Sequence, residues 1–112
     1  MAEIPLLERG SLKRDDANVP LGWRFLNITS IGTYLIKNSA GVLHNLTFNK
    51  ASDNGVYTLY DGVDATGTVI GTVDHPNSAN NPTVFLGYDV AFEEGLTIVV
   101  TVASGDLTVS YI

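Results

Sequence analysis

Residues 96–111 read LTIVVTVASGDLTVSY. Leu96, Ile98, Val100 and Val102 alternate with Thr97, Val99 and Thr101, the period of two that places one face of a strand in a core and the other outside. Ser104-Gly105 turns the chain, and Leu107, Val109 and Tyr111 resume the alternation, so the stretch reads as a hairpin. Working back from it, Thr83 to Tyr88 is another strand. It is preceded by a polar run from Asp74 to Pro82, containing Asn77, Asn80 and Asn81, that reads as a long loop. Thr68 to Val73 is a strand with Val69 and Ile70 on opposite faces, and Asp61-Gly62 opens the loop that ends near Gly67. Val56 to Tyr60 is dense in β-formers and follows Asp53-Asn54-Gly55, a strong turn signal.

Val42 to Asn49 alternates as well. The reading places Val42, His44, Leu46 and Phe48 on one face, with Asn45, Thr47 and Asn49 on the other. Before it lie the turn cluster Asn38-Ser39-Ala40-Gly41, a strand from Thr33 to Lys37, the Ser30-Ile31-Gly32 break and a first strand from Arg24 to Thr29. About eight short strands with a turn after each predict an all-β chain, a sandwich or a barrel. No stretch carries a capped helical period.

Composition agrees. The 112 residues are one domain's worth, 45% hydrophobic and only 16% charged, which argues against a disordered chain and against a helical bundle. There are no cysteines, so disulfides, thiolate zinc sites and cysteine nucleophiles are excluded. The acidic start Met1-Ala2-Glu3-Ile4-Pro5 has no apolar h-region, and no signal peptide is expected. Leu96 to Val102 is too short to span a bilayer.

The net charge is −6. Residues 1–24 balance to zero, with Arg9, Lys13, Arg14 and Arg24 set against Glu3, Glu8, Asp15 and Asp16. Residues 25–112 therefore carry the whole excess, since Lys37 and Lys50 face eight acids. An acidic body with two lysines is a poor partner for nucleic acid and for anionic membrane, and neither is expected as a ligand.

Residues 1–22 hold no sustained period and contain Pro5, Gly10 and Pro20. They read as an extended N-terminal arm ahead of a domain at 23–112. Its apolar residues exceed what a solvated tail needs. Ile4, Leu6 and Leu7 are the expected anchors on a neighbouring subunit, with Arg9, Lys13 and Arg14 as ion-pairing partners.

No catalytic, cofactor or metal set emerges. His44 falls on the apolar side of its predicted strand, where a histidine is packed and hydrogen-bonded. His75 has no second imidazole near it. Asp53, Asp61, Asp64, Asp74 and Asp89 fall at strand ends or in loops, the places where aspartate builds turns or, when several converge, holds calcium. Glu93-Glu94-Gly95 reads as a turn rather than an acid/base pair, because adjacent residues on an extended chain point opposite ways. No nucleophile elbow or phosphate loop appears. Tyr57, Tyr60, Tyr88 and Tyr111, with Trp23 and Phe85, are residue types of a sandwich core and also of a sugar-stacking platform.

The stretches Gly41-Val42-Leu43-His44, Val56-Tyr57-Thr58-Leu59-Tyr60-Asp61-Gly62, Gly67-Thr68-Val69-Ile70-Gly71-Thr72, Gly95-Leu96-Thr97-Ile98-Val99-Val100 and Asp106-Leu107-Thr108-Val109-Ser110-Tyr111 carry a resemblance. Over most of residues 41–112 the chain resembles the small β-sandwich virion proteins of tailed bacteriophages, capsid decoration or cement proteins among them. The resemblance implies an antiparallel, jelly-roll-like β-sandwich and a non-enzymatic structural role without cofactor. It implies a homotrimer on the virion exterior, made in the host cytoplasm, that binds the major capsid protein and stabilises the shell. The alternatives are a tail or fibre component and a carbohydrate-binding β-sandwich module.

Overall fold

The computed structural model describes residues 13–14, 20–50, 54–75, 84–102 and 105–112. Ten strands occur among them: β1 (Lys13–Arg14), β2 (Pro20–Leu21), β3 (Arg24–Ile28), β4 (Gly32–Lys37), β5 (Gly41–Lys50), β6 (Gly55–Asp61), β7 (Thr68–His75), β8 (Val84–Phe92), β9 (Leu96–Thr101) and β10 (Asp106–Tyr111). No helix occurs among the described residues. The arm expected to lack regular structure contains a two-residue antiparallel ladder, Lys13 opposite Leu21 and Arg14 opposite Pro20.

The other eight strands form two four-stranded antiparallel sheets, β3-β10-β5-β8 and β4-β9-β6-β7. The pairings nest: β6 with β7, β5 with β8, β4 with β9, β3 with β10. The domain is thus one long antiparallel ribbon, turned at the β6–β7 loop and folded over itself. The added contacts of β10 with β5 and β9 with β6 complete each sheet. This is the double Greek-key winding of a jelly-roll sandwich.

The sequence alternation explains the core. Ile28, Leu43, Leu46, Phe48, Leu107 and Val109 project from one sheet, and Tyr57, Leu59, Leu96, Ile98 and Val100 from the other. All are essentially solvent-free, and burying each such side chain stabilises the fold by about 1.5–3 kcal/mol. Phe48 meets Tyr57 edge-on across the interior, ring centroids 4.9 Å apart. Val69 is exposed and Ile70 packs on the core, as their adjacent positions require. Asn54 takes a left-handed φ of 62° at the turn before β6, a conformation asparagine tolerates. At the start of β5, Gly41 approaches β8 and the C-terminus so closely that a Cβ there would lie 2.8 Å from the Phe92 ring.

Two strands run longer than the residue pattern indicates. β7 continues through Asp74 to His75, and β8 continues past Tyr88 to Phe92. Asp89, expected at a strand end, therefore lies inside β8.

Candidate functional site

The β3-β10-β5-β8 sheet is irregular on both sides of β5 at His44. Leu43 pairs with Tyr111 and Asn45 with Ser110, so β5 carries one residue more than β10 at this point. On the other side Leu43 pairs with Val90 and Asn45 with Gly87, so β8 in turn carries one more than β5. These bulges reset the alternation. Leu43 and Leu46 both enter the core, and His44 and Asn45 lie between them. The expected grouping of His44 with Leu46 and Phe48 is therefore wrong. A bulge moves a side chain to the other face without any change in local composition.

Two side chains from distant parts of the chain meet the displaced imidazole. Trp23, just before β3, stacks flat on it, with ring centroids 4.1 Å apart and planes 8° from parallel. From β8, Asp89 Oδ1 lies 2.5 Å from His44 Nδ1. A carboxylate only accepts, so Nδ1 carries the proton in this contact. Asp89 has φ 52°, a left-handed conformation uncommon in a strand, and the bulge it produces aims the carboxylate at the ring. Among the described residues neither Asp89 Oδ2 nor His44 Nε2 has a hydrogen-bond partner.

The rest of this outer face follows from the register. Phe25, Ser110, Asn45 and Gly87 form one row across the four strands, and Asn27, Thr108, Thr47 and Phe85 form the next. Phe25 is 72% exposed, Phe85 64% and Trp23 50%. Short polar side chains and a glycine lie between these rings. Asn27 Nδ2 donates to Asp106 Oδ1 at 2.6 Å and to Leu107 O at 3.1 Å. Asn49 Nδ2 donates to Thr108 Oγ1 at 3.0 Å, so one end of the face is a preorganised amide and hydroxyl network.

The aromatic residues singled out from the sequence divide accordingly. Tyr57 is buried in the core, and Tyr88 and Tyr111 pack against it. Tyr60 lies on the outer side of the opposite sheet, opposite Thr97 and Val69. Only Trp23 and Phe85 of that set share an exposed face, and Phe25, which the sequence reading passed over, joins them. Its signal was available: Phe25 alternates with Leu26 and stands two residues from Trp23.

At one end of the sandwich Asp61 closes a latch between β6 and the β8–β9 turn. Its carboxylate accepts the Glu93 N–H at 2.9 Å and the Glu94 N–H at 2.9 Å. These backbone donors, Glu94 first, hold its pKa below the ordinary value of 3.8. Glu93 and Glu94 thus act through their backbone as a turn, and both are exposed. Asp64 accepts from Thr66, from its hydroxyl at 2.5 Å and its N–H at 2.9 Å. The hydroxyl and then the N–H lower the Asp64 pKa, and the arrangement is a turn-building one. Among the described residues no group of three or more His, Cys, Asp or Glu side chains converges.

Ile4, Leu6, Leu7 and Arg9 of the arm lie outside the described residues, as does Asp53. Lys13 and Arg14 are described as the backbone of β1 only. No family model, curated protein or solved structure matches the chain.

Proposed function

We propose that the chain is a structural virion protein of a tailed bacteriophage, a decoration protein that binds the outer surface of the major capsid protein shell and stabilises it. The observation that carries this reading is the outer face of the β4-β9-β6-β7 sheet. Its rows are Leu35-Thr97-Tyr60-Val69, Thr33-Val99-Thr58-Thr72 and Thr101-Val56-Asp74. Asp74 at the end of β7 is the one charged residue in them. Leu35 and Val69 are about half exposed, and Ile31 before β4 is 56% exposed. A body with a net charge of −6 that keeps this face nearly uncharged is suited to adhesion there, because apolar area rather than ion pairs supplies most contact energy.

The arm supports the same reading. Ile4, Leu6 and Leu7 supply apolar contacts to a trimer mate or to the shell, and Arg9, Lys13 and Arg14 pair with acidic groups there. Ordering such a segment costs entropy but adds contact area.

The test is stoichiometry on purified particles, followed by rebinding. A decoration protein is present in copy number comparable to that of the shell subunit, and deletion of residues 1–21 weakens rebinding to stripped shells while the sandwich stays folded. A handful of copies per particle assigns the chain to the tail or fibre instead. Rebinding of the truncated chain at full affinity removes the arm from the mechanism.

A further inference from the structure

We infer that the outer face of the β3-β10-β5-β8 sheet binds a neutral oligosaccharide. This goes beyond the shell-binding reading, which uses the opposite sheet and the arm.

Three features of that face point to this ligand class. The first is aromatic. Trp23 and Phe25 stand at the β3 edge and Phe85 at the β8 edge, all at least half exposed on one side of one sheet. Exposed rings of this size are costly unless something covers them, and the C–H faces of pyranose rings are the polar ligand that stacks on aromatic planes. The edges are three strand spacings apart, about 14 Å, which calls for an oligosaccharide rather than a single ring.

The second feature is the polar set between the rings. Ser110, Asn45 and Gly87 form a row of short side chains, with Gly87 leaving the surface open beside Phe85. Hydroxyl-rich ligands need acceptors fixed in direction. Asp89 Oδ2 supplies one, its carboxylate held by the contact with His44 Nδ1 at 2.5 Å and the imidazole held in turn by the Trp23 ring stacked on it. A carboxylate hydrogen-bonded to an imidazole accepts from vicinal hydroxyls without rotating freely, which lowers the ordering cost of binding.

The third feature is backbone geometry. The bulges at His44 and Asp89, and the left-handed φ of Asp89, are what bring the carboxylate and the imidazole together at the surface. A left-handed non-glycine residue at a bulge within a strand is an outlier of the kind that accompanies ligand sites. Charge decides between ligand classes. Asp89 and Asp106 on this face, within a body of net charge −6, repel uronic, sialic or phosphorylated sugars.

Trp23 is the chain's one tryptophan, so its fluorescence reads this site directly. The full chain is titrated with soluble hexaoses of β-1,4-glucan, β-1,4-mannan, α-1,4-glucan and N-acetylglucosamine, and with hexagalacturonate as the charged probe. The expected result is a saturable change in Trp23 emission with at least one neutral hexaose and none with hexagalacturonate. Phe85→Ala and Asp89→Asn, both at exposed positions, are each expected to weaken that binding about tenfold or more. Calorimetry repeats the titration without relying on the fluorophore. A flat response to all four neutral hexaoses by both methods overturns the inference. So does binding unchanged in both variants, or an equal response to hexagalacturonate.

Discussion

Replacing Thr97 by valine separates local propensity from tertiary structure. The strand Leu96-Thr97-Ile98-Val99-Val100 invites the change, since valine is a better strand former and more apolar. Thr97 is fully buried, however, although its position in the alternation is the outward one. Its hydroxyl donates to the Gly62 carbonyl at 2.9 Å in a buried setting. No other donor among the described residues reaches that carbonyl, and Gly62 is itself buried. Valine leaves the acceptor dry and unpaired, at a cost of about 1–3 kcal/mol. The extra methyl returns about 0.8 kcal/mol at most. Thr97→Val is therefore expected to destabilise the domain by about 1–2 kcal/mol. With a urea slope of about 1–2 kcal/mol/M the unfolding midpoint falls by roughly 1 M, and the thermal midpoint drops by about 5–10 °C. Hydrogen exchange at the Gly62 amide, which donates to Gly95 O at 3.0 Å, should also quicken. A Thr97→Val protein as stable as the wild type, with an unchanged urea slope, refutes the reasoning.

Asp61→Asn weakens the latch onto Glu93 and Glu94, and at neutral pH it is expected to cost about 1 kcal/mol, as loss of a charged cap does. Because the folded pKa of Asp61 lies below its ordinary value of 3.8, the carboxylate's contribution is complete above that value and is lost as pH falls through the folded one. The stability gap between wild type and Asp61→Asn should therefore narrow in acid titrations below about pH 4, and a gap that widens there contradicts the assignment. Val102→Asn acts in the opposite direction. Val102 has φ 71° and is 66% exposed, and a β-branched residue pays for that conformation where asparagine is tolerated. A gain of about 0.5–1 kcal/mol is expected in urea melts, and a loss would show that the Val102 side chain makes a stabilising contact.

The fold class and most strand positions were legible because alternation is a local property. Leu96, Ile98 and Val100, or Leu107 and Val109, declare their buried face from their own spacing, and Asn54-Gly55 declares its turn through the conformations those residues tolerate. The nesting of β6 with β7 outward to β3 with β10 was not in any segment's pattern. It depends on which sheet edges remain open once the ribbon folds. The same holds for the surface site. His44 reads as an inward residue of an alternating strand, and only the register with β10 and β8 introduces the bulge that sends it outward. Trp23, His44 and Asp89 are 21 and 45 residues apart in sequence, and no local signal relates them. Thr97 shows the converse, an outward position buried because the Gly62 carbonyl comes to its hydroxyl. Local patterning determined which residues have an inside, and the pairing of distant strands decided where that pattern is broken and what the breaks bring together.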